Sequence, residues 1–316
     1  MDALLTLSFD NLSARDSHRT RKGLRQIEGL LAQICLSNSS ANRSPHKRKS
    51  SKLRVNQNES GDSETKSCKR LSELRRDAAF REFFRLQEGF RWNVATRLLD
   101  TLTTLMGQPS PTHHTNTLIL STLTLLQGTL LLHPTSRTIF ARQDPMNLLL
   151  DLLDASNPST VQAQALLVLV TALLDSPANT RCFESLEGLL TVTSLFKSRT
   201  TRQEVKMRTL EFLYFYLMPE APRHTAASAP QPPTASGWGE RRGSMDATSE
   251  MLVGAPPPHV RTLSGNASDG ASGVRSTEAK QRLLGRHLSN VDELVRDLSE
   301  TAVFAEAGGV EAVAAA

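Results

Sequence analysis

The chain has 316 residues, of which 39% are hydrophobic and 22% charged, with a formal net charge of +5. That length supports one or two domains, with a core that fills only part of it. The three cysteines, Cys35, Cys68 and Cys182, are too few and too scattered for a disulfide framework or a zinc site of about four clustered ligands, and they point to a reducing compartment.

Met1 to Asp10 places Asp2 where a signal peptide carries basic charge and has no long apolar run, which argues against secretion. Residues 2–36 have Leu4, Leu5, Leu7, Leu24, Ile27, Leu30, Leu31 and Ile34 at helical spacings, predicting one helix or a pair within an N-terminal cap over 1–37. Residues 38–69 form a polar, basic insertion with almost no apolar residue to bury, and disorder is the expectation there. The basic excess belongs to this N-terminal part: residues 1–69 hold 13 Lys/Arg against 7 Asp/Glu, residues 70–219 hold 15 against 13, and residues 220–316 hold 9 against 12. Twelve of the 15 aromatics lie between Phe80 and Tyr216, away from the basic stretch. A nucleic-acid binder would interleave the two on its folded part, so no nucleic acid is expected as the main partner.

Within 70–219 every segment reads as helix, with Gly and Pro between segments at Gly107, Pro109, Pro134, Pro145, Pro158, Pro177 and Gly188. The most apolar stretch, Leu118 to Leu132, is shorter than the ~20 residues of a membrane span and predicts a buried helix. A shift of 43 residues places Pro134 on Pro177, Phe140 on Phe183, Leu169 on Phe212 and Leu174 on Leu217. A period of ~40–47 with two or three helices per unit is that of armadillo and HEAT repeats. The fold class is therefore all-α: a short armadillo/HEAT-like helical solenoid with a disordered insertion, a disordered C-terminal tether and a terminal helix. The tether is placed at 220–277, where Ala, Pro, Ser, Gly and Thr dominate. The terminal amphipathic helix is placed at 278–304, with Leu284, Leu288, Val291, Val295 and Leu298 on one stripe, and a disordered tail at 305–316.

No catalytic constellation emerges. There is no Gly-rich phosphate loop, no G-x-S-x-G elbow and no H-E-x-x-H helix. The positions six residues after the three cysteines are Ala41, Leu74 and Gly188, so none has the arginine of phosphatase chemistry. His113 and His114 read as loop and helix start, and Glu204 with Arg208 as a surface ion pair at i,i+4. Neither an enzyme nor a cofactor nor a metal is expected. The helix at Arg202 to Met218, with Val205, Leu210 and then Phe212 to Met218, is apolar on every side over its last two turns, so it needs a second cover. That cover is either the chain's own C-terminal helix or a partner protein. The C-terminal part also has Arg-x-x-Ser sites at Ser244, Ser264 and Ser289. The His-x-Arg-x-x-Ser form around Ser264 resembles the preference of NDR/LATS-class kinases. Ser289 stands before Asn290-Val291-Asp292, a capping-box arrangement that predicts a helix start.

Several stretches together carry a family resemblance: Phe90-Arg91-Trp92-Asn93-Val94-Ala95, Leu132-His133-Pro134-Thr135-Ser136-Arg137, Asp175-Ser176-Pro177-Ala178-Asn179 onward to Glu184, Glu211-Phe212-Leu213-Tyr214-Phe215-Tyr216-Leu217-Met218-Pro219-Glu220, and Leu288-Ser289-Asn290-Val291-Asp292-Glu293-Leu294-Val295. They resemble the fungal cell division control protein 14 family, a component of the septation initiation network and not the phosphatase of the same name. The resemblance implies a non-catalytic partner of a germinal-centre (Ste20-like) kinase. It further implies cytoplasmic location with recruitment to the spindle pole body in mitosis, contact with scaffold proteins there, and signalling to an NDR-class kinase that triggers septum formation. Partner-binding candidates are Trp92, Glu204, Lys206, Tyr214, Phe215 and Tyr216. No membrane is expected as a partner. Competing readings are an armadillo-type adaptor of an unrelated complex, and a nuclear or nucleic-acid-associated protein acting through Lys47-Arg48-Lys49 and Lys52-Leu53-Arg54.

Overall fold

The computed structural model describes residues 1–36, 69–108, 112–220 and 274–300. The expected insertion, most of the tether and the tail, with Ser244 and Ser264, lie outside the described residues. Among the described residues the protein is helical throughout and contains no β-strand. In chain order the helices are α1 (Asp2–Leu12), α2 (Ser17–Cys35), α3 (Leu71–Leu74), α4 (Ala78–Glu88), α5 (Val94–Met106), α6 (His113–Leu132), α7 (Gln143–Asp151), α8 (Ser159–Leu173), α9 (Pro177–Ser185), α10 (Gly188–Lys197), α11 (Gln203–Leu217), α12 (Thr277–Gly285) and α13 (Val291–Glu300). Two 3-10 segments, Phe90–Trp92 and Pro134–Ala141, precede α5 and α7.

Local chemistry sets the starts. Asp16 caps α2 by accepting from the backbone N–H of His18 and Arg19, Asp77 caps α4 through Ala79 and Phe80, Asn93 caps α5 through Thr96, and Thr112 caps α6 through Thr115. Between α9 and α10 only glycine fits: a Cβ on Gly188 would lie 2.2 Å from the Phe183 ring.

The 43-residue shift is visible in space. The 3-10 helix Pro134–Ala141, α7 and α8 form one three-helix unit, and α9, α10 and α11 form the next. Phe140 and Phe183 are both fully buried at equivalent places. α6 packs on α8 and α8 on α11, and α2 packs on α6. This gives a row α2, α6, α8, α11, backed by α1, α5 and the shorter helices. α6 is long and apolar enough to cross a membrane, yet it packs within the row.

A polar ladder with the same spacing pins the units together. Buried Asn93 donates to the Gln87 carbonyl at 2.8 Å and to Ser136 Oγ at 3.0 Å. Forty-three residues beyond Ser136, buried Asn179 donates to the carbonyls of Ala172 at 2.6 Å and Arg137 at 2.7 Å. Arg137 in turn donates to the Leu130 and Leu174 carbonyls. Backbone groups freed at the ends of α6 and α8 are thus satisfied across units, which buried polar groups require.

His133 sits at the first rung, buried, with Nδ1 2.8 Å from Ser136 Oγ and its ring edge-on to Phe84 at 4.5 Å. Burial pushes its pKa below the ordinary 6.5, with Glu88 pulling weakly the other way. The folded protein therefore refuses a proton that the unfolded chain takes up. The stability this contributes is present above pH 6.5 and is lost as pH falls from there toward the folded pKa. His133→Asn should flatten this part of the pH profile, as measured by denaturant midpoints between about pH 7 and 5.

The ends of segment 37–68 are held together. Lys69 N–H donates to the Cys35 carbonyl at 2.9 Å, and the Lys69 ammonium bonds the Ile34 carbonyl and Asp77 at 2.6 Å. That ammonium keeps the Asp77 carboxyl below its ordinary pKa. Deleting residues 38–66 should consequently leave the melting temperature unchanged or raise it, since a shorter loop lowers the closure cost by at most about 2 kcal/mol. A drop of several degrees would show that the segment packs on the helices.

Candidate partner-binding face

The row α6, α8, α11 has one side covered by the helices that precede each member, and each turns a remaining stripe outward. On α6 the stripe is Thr117, Ser121, Thr124 and Leu131; on α8 it includes half-buried Gln164 and Leu167; on α11 it runs through Glu204, Met207, Glu211, Tyr214 and Met218. Gln164 bonds Gln127 at 2.9 Å and stitches α8 to α6 at this surface. Leu131, Met207 and Met218 are among the most exposed large apolar side chains of the protein. Arg208 is engaged with Glu211 at 2.7 Å, so the expected pairing with Glu204 is corrected: the i,i+3 carboxylate takes the guanidinium and Glu204 is left to solvent.

The six candidate residues do not converge. Glu204 is exposed and Lys206 half-buried in the first turn of α11, while Tyr214 and Phe215 are half-buried near its end. Tyr216 is 1% exposed and belongs to the core, its ring 6.4 Å from Phe183. Trp92 lies elsewhere, half-buried 6.4 Å from the Phe9 ring of α1 with the Arg91 guanidinium 4.8 Å over it.

The second cover that α11 requires is supplied by the chain itself. α12 and α13 pack on α11 through Leu284, Leu288 and Val291, all buried, with Leu283, Leu294 and Val295 partly so. The expected single helix is two, broken after Gly285. α13 starts at Val291 rather than at Ser289, because the Asn290 carbonyl takes the first helical bond, from Leu294. Ser289 is exposed in the connecting turn and bonds Asn290 at 2.9 Å.

A buried ionic cluster fixes this cover. Glu184 of α9 accepts from the Tyr216 hydroxyl at 2.7 Å and pairs with Arg181 and Arg275 at 3.3 and 3.2 Å. Glu220 pairs with Arg181 and with Lys280 at 3.1 Å, and accepts from the Arg275 backbone N–H at 3.0 Å. Lys280 also donates to the Met218 carbonyl and stands 5.3 Å over the Tyr216 ring. Burial pushes the Glu184 carboxyl up and the Lys280 ammonium down, the latter opposed by Glu220. Burial and the Glu184 bond both raise the Tyr216 hydroxyl. Beside the cluster a cavity of about 170 Å³ is lined by Leu174, Pro177, Phe215, Tyr216 and Met218. Among the described residues no His, Cys, Asp and Glu groups are placed to hold a metal.

Arg181, Glu184 and Glu220 fall within the stretches that carry the family resemblance, but nothing in the sequence joins them to one another or to Arg275 and Lys280. The readable signal was a lysine four residues before Leu284, on the apolar stripe itself, where a solvated charge does not belong.

Residues 1–304 match the family model described as cell division control protein 14, SIN component. The chain belongs to this family. Over 145 residues it is 34% identical to cell division control protein 14 of Schizosaccharomyces pombe (strain 972 / ATCC 24843), a stretch covering 44% of this chain. The chain spans about 60% of the length of that curated relative. No solved structure matches it. That description places the family in cell division control, as a component of the septation initiation network.

Proposed function

We propose that the chain is a non-catalytic scaffold that binds a germinal-centre (Ste20-like) kinase and promotes septum formation and cytokinesis. The observation that carries this reading is the outward stripe of α6, α8 and α11, where Leu131, Met207 and Met218 stand exposed beside half-buried Leu167 and Tyr214. Helix rows of the armadillo type offer such a face to extended or helical partners, and apolar side chains rimmed by Glu204 and Glu211 suit a protein rather than a small substrate. In this reading the complex is cytoplasmic and recruited to the spindle pole body. An NDR-class kinase acts on the C-terminal part, where Ser264 has the His-x-Arg-x-x-Ser form and Ser289 is exposed three residues after Arg286. Size-exclusion chromatography of purified full-length chain with a purified germinal-centre kinase tests the reading. Co-elution of the wild-type chain and separate elution of a folded Met207→Asp variant are expected. Separate elution of the wild-type chain would overturn it.

A further inference from the structure

The first half of α2 is a strongly basic surface that no partner within the described residues neutralises. Arg15, His18, Arg19, Arg21, Lys22 and Arg25 are all exposed, and none makes an ion pair among the described residues. The neighbouring carboxylate, Asp16, is spent on capping the helix. At 100° per residue, the five groups from His18 to Arg25 fall within an arc of about 160°, opposite the buried Leu24, Ile27 and Leu31. His18 and Arg19 stand in the first turn, where the helix dipole disfavours cations. Folding does not ask for this pattern.

The basic strip borders a cleft of mixed lining, with leucines at its base among arginines and hydroxyls. Between α2 and α6 lies a groove of about 380 Å³ rimmed by Arg21, Arg25 and His114, with Glu28 at its side and Leu24, Leu118, Leu120 and Leu125 in its lining. Its hydroxyls, Thr117, Ser121 and Thr124, are those of the outward α6 stripe, so the groove continues the row's face.

We propose that this surface docks an acidic amphipathic segment of a partner protein, with carboxylates on Arg21 and Arg25 and apolar side chains in the leucine-lined cleft. Charge complementarity selects the sign of the partner. The leucines select a peptide over nucleic acid, since the groove's lining holds no Phe, Tyr or Trp ring on which a base could stack. The groove shares the α6 hydroxyl stripe with the kinase-binding face but uses neither α8 nor α11, so the peptide test stands apart from that of the kinase complex.

The test uses the full chain and a fluorescent peptide of about 16 residues, long enough to form a helix, with Leu at i, i+3, i+4 and i+7 and Glu elsewhere. Anisotropy should show binding that weakens as salt rises. The same peptide with Gln for Glu, and a single-stranded DNA of similar length, should bind about tenfold or more weakly. Arg21→Glu with Arg25→Glu should lose the Glu peptide, Arg21→Gln with Arg25→Gln should weaken it, and Arg199→Glu with Arg202→Glu, remote on the α10–α11 turn, should not. All four positions substituted carry exposed side chains, so melting temperatures should match the parent. No binding by the parent chain, equal loss in the remote variant, or DNA bound as tightly as the Glu peptide would overturn the proposal.

Discussion

Glu220→Gln is expected to release α12 and α13 from the stack while the helices from α1 to α11 stay folded. Glu220 has a side chain 8% exposed, pairs with Arg181 and with the 5%-exposed Lys280, and accepts from the Arg275 backbone. Neutralising it leaves Arg181, Arg275 and Lys280 facing Glu184 alone. Removing one partner from a buried ion pair costs about 3–5 kcal/mol, chiefly because the other charge stays buried and unpaired. Two helices of 9 and 10 residues, tied to the rest mainly by Leu284, Leu288 and Val291, can escape that cost by undocking. Hydrogen exchange should rise sharply over residues 277–296 and little over α6 and α8. Adding Lys280→Met should restore part of the protection, because the double variant no longer buries an unpaired ammonium. Unchanged exchange in Glu220→Gln would mean that the apolar contacts alone hold the cover.

Tyr216→Ala should destabilise the whole stack by about 3–5 kcal/mol, as truncation of a buried aromatic does. The loss also takes from Glu184 the hydroxyl that it accepts at 2.7 Å, leaving it to Arg181 and Arg275. Tyr216→Phe, which removes only that hydroxyl, should cost about 1–3 kcal/mol. Tyr214→Ala, two residues away and half-buried on the outward stripe, should cost well under half of the Tyr216→Ala loss. Denaturant midpoints separate the three, and equal losses at 214 and 216 would contradict the assignment of α11's faces.

The stack itself was legible because its repeat falls on residue types that depend on burial. Pro134 and Pro177 start helices, and Phe140 and Phe183 fill the same hole, so the 43-residue shift survives in composition. The polar ladder was not legible, because its rungs change from Asn93 to Ser136 to Asn179 and their partners are backbone carbonyls. The need for a second cover on α11 could be read from the unbroken apolar run Phe212 to Met218 that ends it. The break between α12 and α13 could not, because apolar spacing runs through Gly285 without marking where the chain turns. The ionic cluster was hidden for a different reason: Glu184 and Glu220 are 36 residues apart and meet Lys280 only through the fold.

The central claim is that the outward face of α6, α8 and α11 recruits a Ste20-class kinase. Affinity purification of the tagged full chain from dividing cells at physiological salt, read by mass spectrometry, tests it most directly. A germinal-centre kinase should be recovered in near-equal amount with the parent chain and lost from Met207→Asp, with Tyr214→Ala intermediate. Recovery of no such kinase, or undiminished recovery with Met207→Asp, would contradict it.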